Sequence, residues 1–139
     1  MARRSSQYPT ELELEILKIL WREGARPVRD IRAALAVGFR ELAYTSVMTM
    51  MNIMVNKGYL ERKREGKSFV YRPRISAEKT SREMMGDLVE RVFDGSAKAA
   101  MVNLLEMGGI DKSEIQDLRR MIDRCAKSES VKGEKGASS

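Results

Sequence analysis

Between Thr10 and Asn56 the apolar residues recur at helical spacing in three successive runs. In the first, Leu12, Ile16, Ile19 and Leu20 form a stripe, while Leu14, Leu17 and Trp21 cover much of the remaining circumference. This predicts a helix from Thr10 to about Glu23 with neighbours on two sides and Trp21 in the core. Thr10 is its N-cap, and Glu11, Glu13 and Glu15 lie near its positive end. Gly24 ends the run. Pro27 suits a first helical turn, and Val28, Ile31 and Leu35 predict a second helix to about Ala36. After a turn over residues 38–44 comes the third run. At 100° per residue it places Val47, Met50, Met51 and Met54 on one face and Thr45, Thr49, Asn52 and Asn56 on the other. Gly58 stops it. Two short runs rich in aromatic and β-branched residues then flank Arg64-Glu65-Gly66-Lys67, the pattern of a hairpin, and Pro73 closes the second strand. Three helices followed by a basic hairpin predict a winged helix-turn-helix.

Beyond Ser76 the strand signals disappear. Met84, Met85, Leu88, Val89, Val92 and Phe93 share one helical face up to Gly95, and Ala97, Ala100, Met101, Leu104 and Leu105 share another up to Gly108-Gly109. Asp111 with Glu114 reads as a capping box opening a last helix striped by Ile115, Leu118, Ile122 and Cys125. So short a segment is marginal as a core of its own, which predicts a homodimer joined through Leu88, Val92, Leu104, Leu105, Ile115, Leu118 and Ile122. The expected fold class is mostly α with a small β-wing: a winged helix-turn-helix head plus a C-terminal helical dimerisation arm. The expected organisation is a disordered N-terminus (1–8), a DNA-binding head (9–74), a dimerisation domain (75–127) and a disordered tail (128–139), the last from its Ser, Gly, Lys and Glu content.

Charge sharpens this picture. Of 139 residues 33% are charged and the formal net charge is +6. Residues 1–74 hold 15 Lys/Arg against 8 Asp/Glu, and the remainder 11 against 12, so the excess lies wholly in the head. That asymmetry suits a polyanion partner. One cysteine, Cys125, and no histidine leave no Cys/His nucleophile chemistry and almost no ligands for zinc or copper. No catalytic constellation, metal site or cofactor is expected, and the chain reads as a non-enzyme. No apolar run is long enough for a membrane span and no secretory pattern opens the chain, which predicts a cytoplasmic protein without membrane insertion.

In the third run Thr45, Ser46, Met48, Thr49 and Asn52 are placed to meet base edges in the major groove, with Asn52 suited to an adenine and Met48 to a thymine methyl. Arg62, Lys63, Arg64 and Lys67 crowd the hairpin, where they would grip the phosphate backbone, and Arg29 and Arg40 are further phosphate candidates. The contrasting reading is a winged-helix protein-interaction module in which the third helix docks on a protein.

The segments A-Y-T-S-V-M-T-M-M-N-I-M-V-N-K-G-Y-L-E-R-K-R-E-G-K-S-F-V-Y-R-P and T-E-L-E-L-E-I-L-K-I-L-W resemble the reading helix, wing and opening helix of the penicillinase repressors, the BlaI/MecI/CopY family. The arm is looser: V-F-D-G-S, V-N-L-L-E and D-K-S-E-I-Q-D-L resemble family segments. The resemblance implies a homodimeric repressor on palindromic double-stranded operators, with Ser46 and Thr49 at positions that contact DNA and a membrane sensor-protease as a possible inducing partner. Two departures stand out. The copper-responsive branch carries a C-terminal cysteine cluster, which a lone Cys125 does not supply. The β-lactam branch is cut after an Asn followed by Phe, whereas here Asn103 is followed by Leu104, the bond at which the resemblance places cleavage.

Overall fold

The first helix, α1 (Glu11–Glu23), begins at the expected cap: Glu13 N donates to Thr10 Oγ1 while Thr10 N donates to Glu13 Oε1, a complete capping box. The structure, a computed structural model, describes residues 8–136, with side chains through residue 128. Of the expected disordered N-terminus only Tyr8 falls among them. The second and third helices, α2 (Val28–Val37) and α3 (Tyr44–Asn56), pack with α1 around Ile16, Leu17, Leu20, Ile31, Leu35, Val47, Met51 and Met54. All but Leu17 are on the predicted stripes; Leu17, read as lying on the remaining circumference of the first helix, is fully buried. Trp21 is half-buried rather than fully interior, because its ring lies at the edge of the core and its Nε1 donates to the Ile75 carbonyl at 2.9 Å.

The wing is a two-stranded antiparallel hairpin, β1 (Leu60–Glu65) and β2 (Ser68–Pro73), with Glu65 opposite Ser68. Its two-residue turn, Gly66-Lys67, needs a positive φ at the first position, and Gly66 supplies 63° without steric cost. Leu60 and Tyr71 anchor the hairpin in the core. Tyr71 also exchanges both backbone hydrogen bonds with Arg26, so the loop between α1 and α2 adds a one-residue third strand. No alternating pattern marks so short a bridge in the sequence.

Two ties, one tertiary and one local, are invisible to periodicity. Glu13, one of the acids expected merely to complement the α1 dipole, is 1% exposed, and Lys57 at the C-cap of α3 donates to its Oε2 at 2.8 Å. Tyr59 sits beside this pair. Burial lifts its phenol above the ordinary value near 10, with the Glu13 carboxylate adding to the rise and the Lys57 ammonium opposing it.

The turn from α2 to α3 contains the second tie. Arg40 N donates to Leu35 O and Phe39 N to Ala36 O, the Schellman pattern, which puts Phe39 at the left-handed position with φ 67°. A glycine normally sits there. Phe39 is 97% exposed, so its ring gains no packing in return. Phe39→Gly is therefore expected to stabilise the protein by about 1 kcal/mol, the left-handed cost for an L-residue less the added freedom of the unfolded chain. Urea unfolding would check this; an unchanged or lower midpoint would contradict it.

Three further helices complete the chain: α4 (Ala77–Val92), α5 (Ala97–Met107) and α6 (Lys112–Gly136). Ser96 caps α5 through Ala99 N, and Asp111 with Glu114 forms the predicted capping box of α6, Glu114 N donating to Asp111 Oδ1 at 2.8 Å and Asp111 N to Glu114 Oε1 at 3.0 Å. The chain divides into two compact units, Met1–Leu88 and Val89–Ser139, so the division falls inside α4 rather than at the Arg74/Ile75 boundary read from composition. The reason is packing: Ile75 rests against the head core and Thr80 is buried. The α6 helix continues to Gly136, through most of the stretch whose composition suggests a disordered tail. Once nucleated, a helix lengthens by one backbone bond per residue without needing apolar contacts. Residues 137–139 lie outside those described.

In the second unit Ala100 is the one buried hydrophobic residue among the described side chains. Val92, Leu104, Leu105, Ile115, Leu118 and Ile122 are all exposed, as is Leu88 at the end of the first unit. No described helix is long and apolar enough to cross a membrane.

Candidate nucleic-acid interface

One side of α3 is committed to the core through Val47, Met51 and Met54; the other presents Thr45, Ser46, Met48, Thr49, Ile53 and Asn56 to solvent, and Tyr44 is exposed in the first turn. Ala43 gives the helix no side-chain cap. The hairpin flanks this helix, and its register sorts the wing cations that the sequence shows only as a cluster. Arg62 and Arg64 lie opposite Tyr71 and Phe69, on the same face of the hairpin as the core residue Leu60. Lys63 alternates to the reverse face with Glu61 and Glu65, and Lys67 occupies the tip. Among the described residues Lys63, Arg64 and Lys67 have no carboxylate partner, whereas Glu61 is taken by Arg72.

Asn52 is placed differently from its expected role. Its Oδ1 accepts from Tyr71 Oη and from Arg62 Nη1, each at 2.8 Å. A guanidinium has no acceptor, so the amide atom facing Arg62 is the oxygen, and its two lone pairs are then both used. A bidentate contact with adenine needs that same oxygen for the base N6 amine. Asn52 is thus a clasp between the reading helix and the wing, and the adenine assignment does not fit this geometry. Arg62 is further held over the Phe69 ring, 4.7 Å from its centroid. Asn52→Ala is accordingly expected to leave the preferred DNA sequence unchanged while lowering stability by about 1–2 kcal/mol, because a buried tyrosine hydroxyl and Arg62 lose their acceptor. Parallel selections of DNA by both proteins would show it, and a base preference altered at a single position would restore the reading role.

Arg40 is likewise occupied. Its Nε donates to Glu15 Oε2 at 2.7 Å and its Nη2 lies 3.7 Å from Glu11, so α1 neutralises a side chain read as a phosphate clamp. Arg29 stays exposed near the start of α2, and among the described residues its one carboxylate neighbour is Asp30 at 3.9 Å. Beside it Arg32 donates to the Leu42 carbonyl at 2.9 Å and fixes the approach to α3. The structure therefore brings Thr45, Ser46, Met48 and Thr49 together on one surface, sets Arg64 and Lys67 on the neighbouring wing, and withdraws Asn52 and Arg40. Sequence reasoning missed Tyr71, whose ring is core and whose hydroxyl orients the clasp; its β-strand context carries no sign of that second duty. Among the described residues no group of side chains is arranged to hold a metal ion.

The sequence pattern of the penicillinase repressors matches residues 9–124. The transcriptional regulator BlaI of Mycobacterium tuberculosis (strain H37Rv) is 31% identical over 114 residues, 81% of this chain and 80% of that protein. The penicillinase repressor of Bacillus licheniformis is 24% identical over 120 residues, covering 82% and 88% respectively. The methicillin resistance regulatory protein MecI of Mammaliicoccus sciuri is 20% identical over 112 residues, covering 81% and 90%.

Proposed function

This chain belongs to the penicillinase repressor family, whose members are transcriptional repressors, and on that premise we propose that it reads operator DNA through α3 and the wing as a homodimer. The observation that carries the site assignment is the exposed face of Thr45, Ser46, Met48 and Thr49 beside a wing whose Lys63, Arg64 and Lys67 lack carboxylate partners. An α-helix fits the major groove, and cations without carboxylate partners are free to replace counterions on phosphates. Arg29 adds a contact from α2. The operator is a two-fold repeat of one half-site, since two heads related by the dimer axis read the same sequence in opposite directions.

Exposed apolar stripes on α5 and α6 support the homodimer, because exposed apolar patches mark protein–protein contact sites. Relief of repression acts through the arm. A cut at Asn103-Leu104, in the middle of α5, separates Ile115, Leu118 and Ile122 from the head and leaves every DNA-facing side chain in place. The bond lies within a hydrogen-bonded helix, so a sensor-protease has to catch α5 locally open.

Selection from a random duplex pool, followed by titration at several salt concentrations, tests the DNA reading. The expected result is a symmetric site whose log K falls by about 0.9 per neutralised phosphate per unit of log salt. Lys67→Ala should lower that slope by about one unit and weaken all sequences alike. Salt-independent binding with no enriched sequence would instead favour a protein-docking role for α3.

A further inference from the structure

We propose that α3 recognises its half-site mainly through thymine 5-methyl groups, packed by Thr45, Met48, Thr49 and Ile53, and does not read guanine edges. This rests on the DNA-binding reading above and specifies what that surface selects.

The helix carries no charged side chain from Tyr44 to Asn56. The cations at its borders are all engaged: Arg40 by Glu15 and Glu11, Lys57 by Glu13, and Arg62 by Asn52 and the Phe69 ring. The commonest guanine contact is a bidentate Arg or Lys on O6 and N7, and α3 offers neither. The usual adenine contact is closed at Asn52, whose oxygen is doubly occupied. The other amide of α3, the exposed Asn56, is the last residue of the helix, whereas a reading helix meets base edges with its N-terminal residues.

What remains is a methyl-bearing surface. Thr45 and Thr49 lie one helical turn apart in its centre, with Met48 on one flank and Ile53 on the other at 100° per residue. Met48 is 36% and Ile53 41% exposed, so both leave apolar surface open to solvent on this side of the helix. In the major groove thymine alone among the four unmodified bases presents a methyl group, and threonine methyls and other apolar side chains are its natural contacts. Neutrality of the helix does not cost the complex its grip, because the charge that phosphates require is carried next door by Lys63, Arg64 and Lys67.

The test uses the full chain and its selected operator, with thymines replaced one at a time by deoxyuridine, which removes the 5-methyl and leaves the pairing unchanged. Replacement at the contacted thymines of each half-site should weaken binding about fourfold per position, the effect of exposing one methyl-sized apolar group. Replacing guanine by 7-deazaguanine in the same half-site should change little. Met48→Ala and Thr49→Ser should each abolish the thymine–uracil difference at one position, with circular dichroism confirming the fold. An operator bound equally well after every thymine is replaced would overturn the proposal while leaving sequence-specific binding intact, and so would sensitivity confined to 7-deazaguanine. Failure to enrich any sequence would remove the DNA reading itself, and this inference with it.

Discussion

Exchanging Leu118 and Ile122 for glutamate in the full chain is expected to turn a dimer into a monomer and to lower operator affinity on the order of 10²- to 10⁴-fold. Both side chains are already exposed within one protomer, 38% and 50%, so the exchange removes no contact from its core. It places four carboxylates per dimer in a surface that two copies would otherwise desolvate together, where unpaired charge is strongly unfavourable. The large effect on DNA is one of effective concentration. With one head bound, the second half-site is met by a tethered head instead of one drawn from dilute solution. Light scattering at micromolar concentration reads the first part and titration of whole and half operators the second. Half-site affinity should stay unchanged, which separates loss of pairing from damage to the head. Persistence of the dimer would place the interface elsewhere. Truncation at Arg74 is a poorer test, because it also deletes the Ile75 carbonyl that holds Trp21 and the buried Thr80.

Lys57→Met should destabilise the head by about 3 kcal/mol, a large share of what a small domain possesses. Removing the ammonium leaves the Glu13 carboxylate almost fully buried, with the Thr10 N–H as its one remaining partner among the described residues. Lys57 is itself 35% exposed, and water screening there holds the loss to the low end of the range for broken buried pairs. Changing both residues, Glu13→Leu with Lys57→Met, should recover a substantial part of the loss, since an apolar pair needs no solvation. Urea denaturation of the single and double variants measures the coupling, and a single-variant loss below about 0.5 kcal/mol would show the pair to be incidental. Tyr59 adds a pH dependence at the alkaline end. Its pKa is raised on folding, so its contribution is complete below the ordinary phenol value and is lost as pH climbs through the folded one.

The elements of the head and arm were legible because the determinants are local. Stripes such as Ile16, Leu20 and Val28, Ile31, Leu35 announce which face is buried whatever covers it, and Thr10, Gly66 and Asp111 punctuate the chain through contacts within three residues. The exposed face of α3 was legible for the same reason. Partners were not, since Arg40 meets Glu15 across 25 residues, Tyr71 meets Asn52 across 19 and Lys57 meets Glu13 across 44. Nothing in the spacing of one helix names the atom that another helix will set beside it.

The amino-acid sequence by itself determined the three-helix head, the basic hairpin, the amphipathic arm helices and the side of α3 that faces outward. Its periodicity acts through backbone geometry common to every helix and strand. Tertiary structure alone decided which of the head's polar groups are free to meet DNA. Docking the wing on α3 took both lone pairs of Asn52, docking α1 neutralised Arg40, and the strand register left Arg64 and Lys67 open. Hydrogen bonds and ion pairs are short-range and exclusive, so a side chain engaged inside the fold is no longer available to an outside partner.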